Sequence, residues 1–294
     1  MNPFMSLLQH RRLPVAATVL LALVLLPPAA RTGGTTTVLL VASSLLMSGC
    51  CWVSAGRLLG AMAAMRFVTI ATGCGWFTEQ MGASYGWFFG GYTYTAVLGP
   101  RLGDVPVVIP LMWFALAYSG YVIANLIAWQ APVDVPAPVR HDALMALLGA
   151  MAVTCYDLGG DPYMVYALKA WIMTKTDGWW FGETLHGFAG WMAVSFTILF
   201  AFRRLARGRP AAGAAPAGAG HVLMPLGVYA FLMVYLMLLG HPVETRTIAL
   251  FAMGFPLLAA TIGLLRWKGI LVRPAAPART HQAVAPAGAL QEAA

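Results

Sequence analysis

"ALMALLGAMAVTCYDLGGDP", residues 143–162, decides how the chain is read. From Ala143 to Thr154 it carries no charge and has the character of a membrane-helix interior. Asp157 and Asp161 then follow four residues apart, where that helix should end. On a continuing helix they share one face, about 6 Å from each other. Pro162 marks an end or a kink, and the preceding "LGG" weakens the helix further. Two carboxyl groups at the edge of an apolar cavity make an acid/base pair. Desolvation and a like neighbour both favour the protonated form, and a carboxylic acid that keeps its proton at neutral pH is a usable general acid. The alternative is that both carboxylates cap elements or pair with Lys169, Arg101 or Arg66.

The whole chain agrees with a membrane setting. Its 294 residues are 60% hydrophobic and 10% charged, against roughly 25% charged in an ordinary soluble domain. Mean hydropathy is +0.74. The net charge of +8 resides in arginines of short segments between apolar runs, a topology signal. Nucleic-acid and nucleotide binding lack support, because no aromatic-interleaved basic patch, P-loop or GxGxxG is present. A GxSxG elbow is also missing, which disfavours a Ser/His/Asp hydrolase. Cys50, Cys51, Cys74 and Cys155 form no CxxC pair and read as small buried hydrophobes.

The expected fold is all-α: a polytopic bundle of about eight spans near 13–30, 36–53, 57–74, 106–129, 142–158, 187–203, 221–240 and 247–265. Residues 1–272 read as one membrane domain and 273–294 as a disordered tail; 203–221 reads as an Arg, Ala, Gly and Pro-rich linker. The first 30 residues resemble a signal peptide as well as a helix, and a retained helix is expected because the apolar run continues into a hairpin. With both termini cytoplasmic in a cell-membrane protein, 12 of 18 basic residues fall inside, and 7 of 10 carboxylates fall at the outer face. Two long non-helical segments, 75–105 and 159–186, are expected at that outer face. Both are rich in Trp, Tyr, Phe and Gly, a composition that argues against disorder.

"TEQMGASYGWFFGGYTYTAVLGPRLGDVPVVIPLMW" (78–113) holds Glu79, the sole carboxylate before Leu102, directly after an apolar span. That position makes it a functional candidate. Trp87, Phe88, Phe89, Tyr92 and Tyr94 offer aromatic faces that can line a channel for a flat polyene or stabilise a carbocation. An interfacial aromatic belt is the plainer account of those rings. "DGWWFGETLHGFAGW" (177–191) places Glu183 and His186 three apart at the sixth span, with Thr184 as a helix cap. Glu-x-x-His recurs in di-iron bundles, but those need two such motifs, so no metal is expected.

The blocks 78–113, "DLGGDPYMV" (157–165) and "WWFGETLHGFAGW" (179–191) resemble the CruF-type carotenoid biosynthesis proteins, over about residues 73–194. These are integral-membrane carotenoid 1,2-hydratases, among them the bisanhydrobacterioruberin hydratases. The family's last block usually reads Gly, apolar, Pro, two residues, then Asn-Phe-x-Gly-Trp. Here Thr184 stands for the proline and Gly187 for the asparagine, and Glu183 and His186 are additional polar groups.

The resemblance implies a cofactor-independent hydratase. A carboxylic acid protonates a terminal C=C of a carotenoid or related isoprenoid, and water captures the tertiary cation. Asp157 and Asp161 are the leading acid/base pair, with Glu79 as the alternative acid and Glu183 as a further catalytic candidate. Tyr85, Trp87, Tyr92, Tyr94, Trp113, Trp180, Phe188 and Trp191 would bind the chain. Arg101, Lys169 and His186 would orient the carboxyl groups. Lipid and a hydrophobic polyene are the implied partners, with other carotenoid-pathway enzymes beside them. A membrane cyclase or isomerase using the same protonation is the first alternative. A proton-coupled transporter is the second, disfavoured by the lack of an internal repeat.

Overall fold

The computed structural model describes residues 33–135, 137–206 and 218–271. Seven long helices occur among them: α1 (Gly33–Leu58), α2 (Ala61–Tyr85), α3 (Val108–Trp129), α4 (Arg140–Pro162), α5 (Leu185–Ala206), α6 (Ala219–Leu239) and α7 (Glu244–Trp267). Six are long and apolar enough to cross a membrane; α2 is the one outside that set. The expected span at 13–30, the centre of the 203–221 linker and the 273–294 tail lie outside the described residues.

The centre of the bundle is α3, and its apolar window is the most completely buried of the six. Glycines let neighbours approach its backbone. A Cβ on Gly149 of α4 would stand 3.1 Å from the Gly120 carbonyl oxygen, and one on Gly120 would stand 2.7 Å from that of Gly149. Small residues at facing positions are the usual means of close helix packing in lipid. At the end away from the aromatic loops, buried Arg203 of α5 ion-pairs with Asp134 and donates to Asn125 Oδ1 at 3.1 Å. Its guanidinium lies 4.6 Å above the Tyr121 ring.

Three helices carry an internal proline, Pro162 of α4, Pro225 of α6 and Pro256 of α7, and in the first two the stranded carbonyl receives a substitute donor. Proline has no N–H, so it strands the carbonyl four residues earlier. Pro162 strands Leu158, whose oxygen accepts from Trp180 Nε1 at 3.0 Å. Pro225 of α6 strands His221, whose oxygen accepts from Ser54 Oγ at 2.6 Å.

The helices run further than the sequence implies. Instead of a loop from residue 75, α2 continues to Tyr85 and ends on Gly86 in the left-handed region (φ 70°). Its buried face, Ala71, Gly75, Thr78, Glu79 and Gly82, keeps helical spacing. Gly75 and Gly82 are packing residues here: a Cβ on either would meet Trp113 at 2.7 Å or Tyr92 Oη at 2.8 Å. Likewise α4 does not stop at residue 158. It passes through Asp161 and Pro162 and continues as a π-helical turn, Tyr163–Leu168.

What remains of the two loops is ordered by pairing. β1 (Tyr92–Tyr94) lies antiparallel to β4 (Trp171–Met173), with Tyr94 opposite Trp171. Alternation on a strand puts Tyr92 and Tyr94 inward and Thr93 outward. A short 3-10 turn (Ala96–Leu98) follows, then a tight hairpin of β2 (Arg101–Leu102) and β3 (Val105–Pro106). The two aromatic segments therefore form one cap over the bundle end.

Candidate active site

Beneath that cap is an internal cavity of about 130 Å³, walled mainly by apolar side chains of α1 to α6 and the cap. All four carboxylates singled out by sequence line it. They are buried to near completion: Asp157 is 1% exposed, Glu183 4%, Glu79 6% and Asp161 8%. No Lys, Arg or His is among the lining residues.

Glu79 and the other three differ in their partners. Glu79 Oε1 accepts from Trp113 Nε1 at 2.8 Å. Its Oε2 accepts from Tyr94 Oη at 2.7 Å and from Tyr92 Oη. Burial, and then the adjacent Glu79 carboxylate, pushes both phenols up, so each keeps its proton and donates. Three donors on two oxygens fit an anion, since a carboxylate only accepts. This sets Glu79 apart from a proton source.

Asp157 and Asp161 lie one turn apart on α4, where the unbroken helix keeps them on the cavity face. Asp161 Oδ1 accepts from Trp171 Nε1 at 3.1 Å. Asp161 also shares a hydrogen bond with Glu183. Neither Asp157 Oδ2 nor Glu183 Oε2 receives an N–H or O–H from a described neighbour. The Asp161–Glu183 contact therefore needs a proton on one of the two carboxyl groups. Burial, and then the nearby Asp157 and Asp161, pushes Glu183 up from the ordinary glutamate range.

The aromatic candidates divide. Tyr92, Tyr94, Trp113 and Trp191 line the cavity, with Trp113 and Trp191 stacked at 4.5 Å. Trp180 and Phe188 do not line it; they meet edge-to-face at 6.2 Å, and the Trp180 indole is committed to Leu158. Tyr85 and Trp87 point outward, both exposed, and pack on each other at 5.8 Å. The orienting residues are also elsewhere. Arg101 donates to the Tyr94 carbonyl, Lys169 ends the π-helical turn in the left-handed region, and His186 is exposed. Among the described residues, no group of three or more His, Cys, Asp and Glu side chains is arranged to hold a metal ion.

Phe89, named among the aromatic faces, lines the cavity too, whereas sequence reasoning missed Trp171, Tyr156 and Tyr235, which also line it. Trp171 follows Asp161 by ten residues, and its indole N–H reaches back to that carboxyl group.

The architecture is that of a multi-pass helical membrane protein with a carboxyl-bearing apolar cavity under an aromatic cap. The profile described as "Carotenoid biosynthesis protein" matches residues 34–260, and the chain belongs to that family. It is similar to the bisanhydrobacterioruberin hydratase of Haloarcula japonica, with 31% identity over 126 residues. That alignment covers 42% of this chain and 39% of the relative, so it spans about two fifths of either protein. No solved structure matches the chain to a significant degree.

Proposed function

We propose that the protein is a carotenoid-modifying membrane enzyme that adds water to a terminal C=C of a carotenoid or related isoprenoid chain, without a cofactor. The observation that carries this reading is the gathering of Asp157, Asp161 and Glu183 in one apolar cavity with no lining cation. Such a cavity holds a carboxylic proton and admits an oily chain end.

The acid pair on α4 delivers H⁺ to the less substituted alkene carbon, and the π electrons form the new C–H bond. The tertiary cation that results faces the Glu79 carboxylate and the rings of Tyr92, Tyr94, Trp113 and Trp191. Anion and ring faces both stabilise it. Water adds to the cation and loses its second proton to Asp157. Transfer of that proton back to the acid completes the cycle, and the net change is one H₂O. Family membership and the partial similarity to a hydratase support this reading.

The cavity end is assigned to the non-cytoplasmic face, because Arg57, Arg140, Arg203, Arg204, Arg266 and Lys268 cluster towards the other end of the helices. Accessibility of single cysteines placed in the cap and in 130–139 tests that orientation.

Co-expression in a carotenoid-producing host, read by product mass, tests the reaction. A gain of one water is expected. A product of unchanged mass with an altered spectrum would replace hydration by cyclisation or isomerisation. Absence of any new product in a correctly inserted protein would sink both.

A further inference from the structure

Glu183 and Gly187 stand four residues apart at the entrance to α5, and each depends on the other. A Cβ built on Gly187 would lie 2.5 Å from Glu183 Oε1 and 3.2 Å from its Cγ. Any side chain at 187 would therefore force the carboxyl group to shift from this position. The backbone of Glu183 is fixed from the other side. Gly178 and Gly182 exchange backbone hydrogen bonds at 3.1 Å each, and Glu183 N–H donates to the Trp180 carbonyl at 2.9 Å. A Cβ on Gly178 would fall 1.9 Å from the Glu183 carbonyl oxygen. Trp180 ties this curl to α4 through Leu158. The curl thus delivers one carboxyl group from a third segment to the Asp pair.

The charge balance around it is one-sided. The titratable groups that face Glu183 across the cavity are Asp157, Asp161 and Tyr156 from α4, Glu79 from α2, Tyr92 and Tyr94 from β1, and Tyr235 from α6. None supplies a positive charge. Glu79 has its three donors; Asp161 has the Trp171 indole. Glu183 Oε2 has no N–H or O–H neighbour. Asp157 Oδ2 lacks a donor as well, but Glu183 is the one that shares a hydrogen bond with Asp161, so an O–H on Glu183 can donate to it.

We propose that Glu183, seated in the space that Gly187 leaves empty, is the proton-carrying half of an acid pair with Asp161, and that Gly187 is the positioning residue that holds it there. On protonation of the alkene, the Glu183 O–H bond breaks and its proton passes to one oxygen of Asp161, which gives a proton on to the alkene carbon, so Asp161 ends as it began and Glu183 becomes the carboxylate. The proton that water releases to Asp157 restores it. The role in turnover rests on the hydration reading; the seat of the proton does not.

Difference infrared spectra of the full chain in lipid nanodiscs, in H₂O and D₂O across neutral and alkaline pH, read a protonated carboxyl directly. A deuterium-sensitive carboxylic C=O band that persists above neutral pH is expected in the wild type. It should vanish in Glu183→Gln, and in Gly187→Ala it should vanish or titrate at lower pH. Both variants should lose roughly 10²-fold or more of product formation. The double variant Glu183→Ala with Gly187→Asn returns a polar amide to the same space and guards against simple misfolding. It should insert normally yet lack both the band and the turnover. A Glu183→Gln spectrum that loses no band overturns the proposal, as does wild-type turnover with an unchanged pH profile in either Gly187 variant. A band lost in Glu183→Gln, with no carotenoid gaining water, keeps the proton site and discards the hydration reading.

Discussion

Tyr94 Oη donates to Glu79 Oε2 across 2.7 Å, tying the inward face of a cap strand to the last turns of α2. Tyr92 and Trp113 complete the set of donors. Glu79→Gln puts an amide N–H₂ among three groups that also donate. Loss of one such charged hydrogen bond costs about 1.5–3 kcal/mol. Glu79→Gln should therefore lower the melting temperature in detergent and also slow turnover. Tyr94→Phe should be milder, because Tyr92 still serves the same oxygen. Equal losses in the two variants would contradict an anionic Glu79.

Asp161→Asn and Asp157→Asn preserve shape and remove an acid. Each should cut formation of the hydrated product by roughly 10²–10⁴-fold, the range that general acid–base groups supply. The readout is product mass spectrometry normalised to inserted protein. Undiminished product from either variant removes that aspartate from the reaction.

Pro162 and Trp180 should be energetically coupled. Trp180→Phe leaves the Leu158 carbonyl buried without a donor, at a cost of about 1–3 kcal/mol. Pro162→Ala restores a backbone N–H that can serve the same oxygen. In a double-mutant cycle on thermal stability, the pair together should cost less than the two singles added. Strict additivity would mean that the indole does not stand in for the missing N–H.

The raised Glu183 also fixes a sign for stability against pH. Its folded form binds a proton more tightly than its unfolded form, whose pKa is about 4.3. That contribution is complete below the unfolded value and declines as pH climbs towards the folded one. Wild-type melting temperature should fall more steeply than that of Glu183→Gln from acid to alkaline pH. Parallel profiles would show that Glu183 titrates like an exposed glutamate.

Much of this was legible in the chain itself. Spans expected at 36–53, 142–158, 187–203 and 247–265 lie within the helices observed, and those at 106–129 and 221–240 overrun theirs by two residues and one, because these apolar runs have no competing assignment. Asp157, Asp161, Glu79 and Glu183 were also visible, since carboxylates are conspicuous beside apolar runs. The extensions of α2 and α4 were not. Gly75, Gly82, Gly159 and Gly160 read locally as helix breakers, and only the neighbours that occupy the missing side-chain volume reveal their use. Residues 92–94 and 171–173 are too short for alternation to register, and their pairing is set by tertiary structure. Arg101, Lys169 and His186 drew attention by charge, yet the cavity has no place for them.

The strands that close the cap are separated by two whole membrane helices, α3 and α4. A nascent chain that has emerged only through Trp113 already contains Glu79 and every one of its donors. Its early half can thus enter the bilayer without an orphaned acid. The other three carboxyl groups leave the ribosome later, between residues 157 and 183, together with Trp171 and the strand that covers them. The order of the chain thus gives Glu79 its donors within the first half, and brings the other acids in with the strand that covers them.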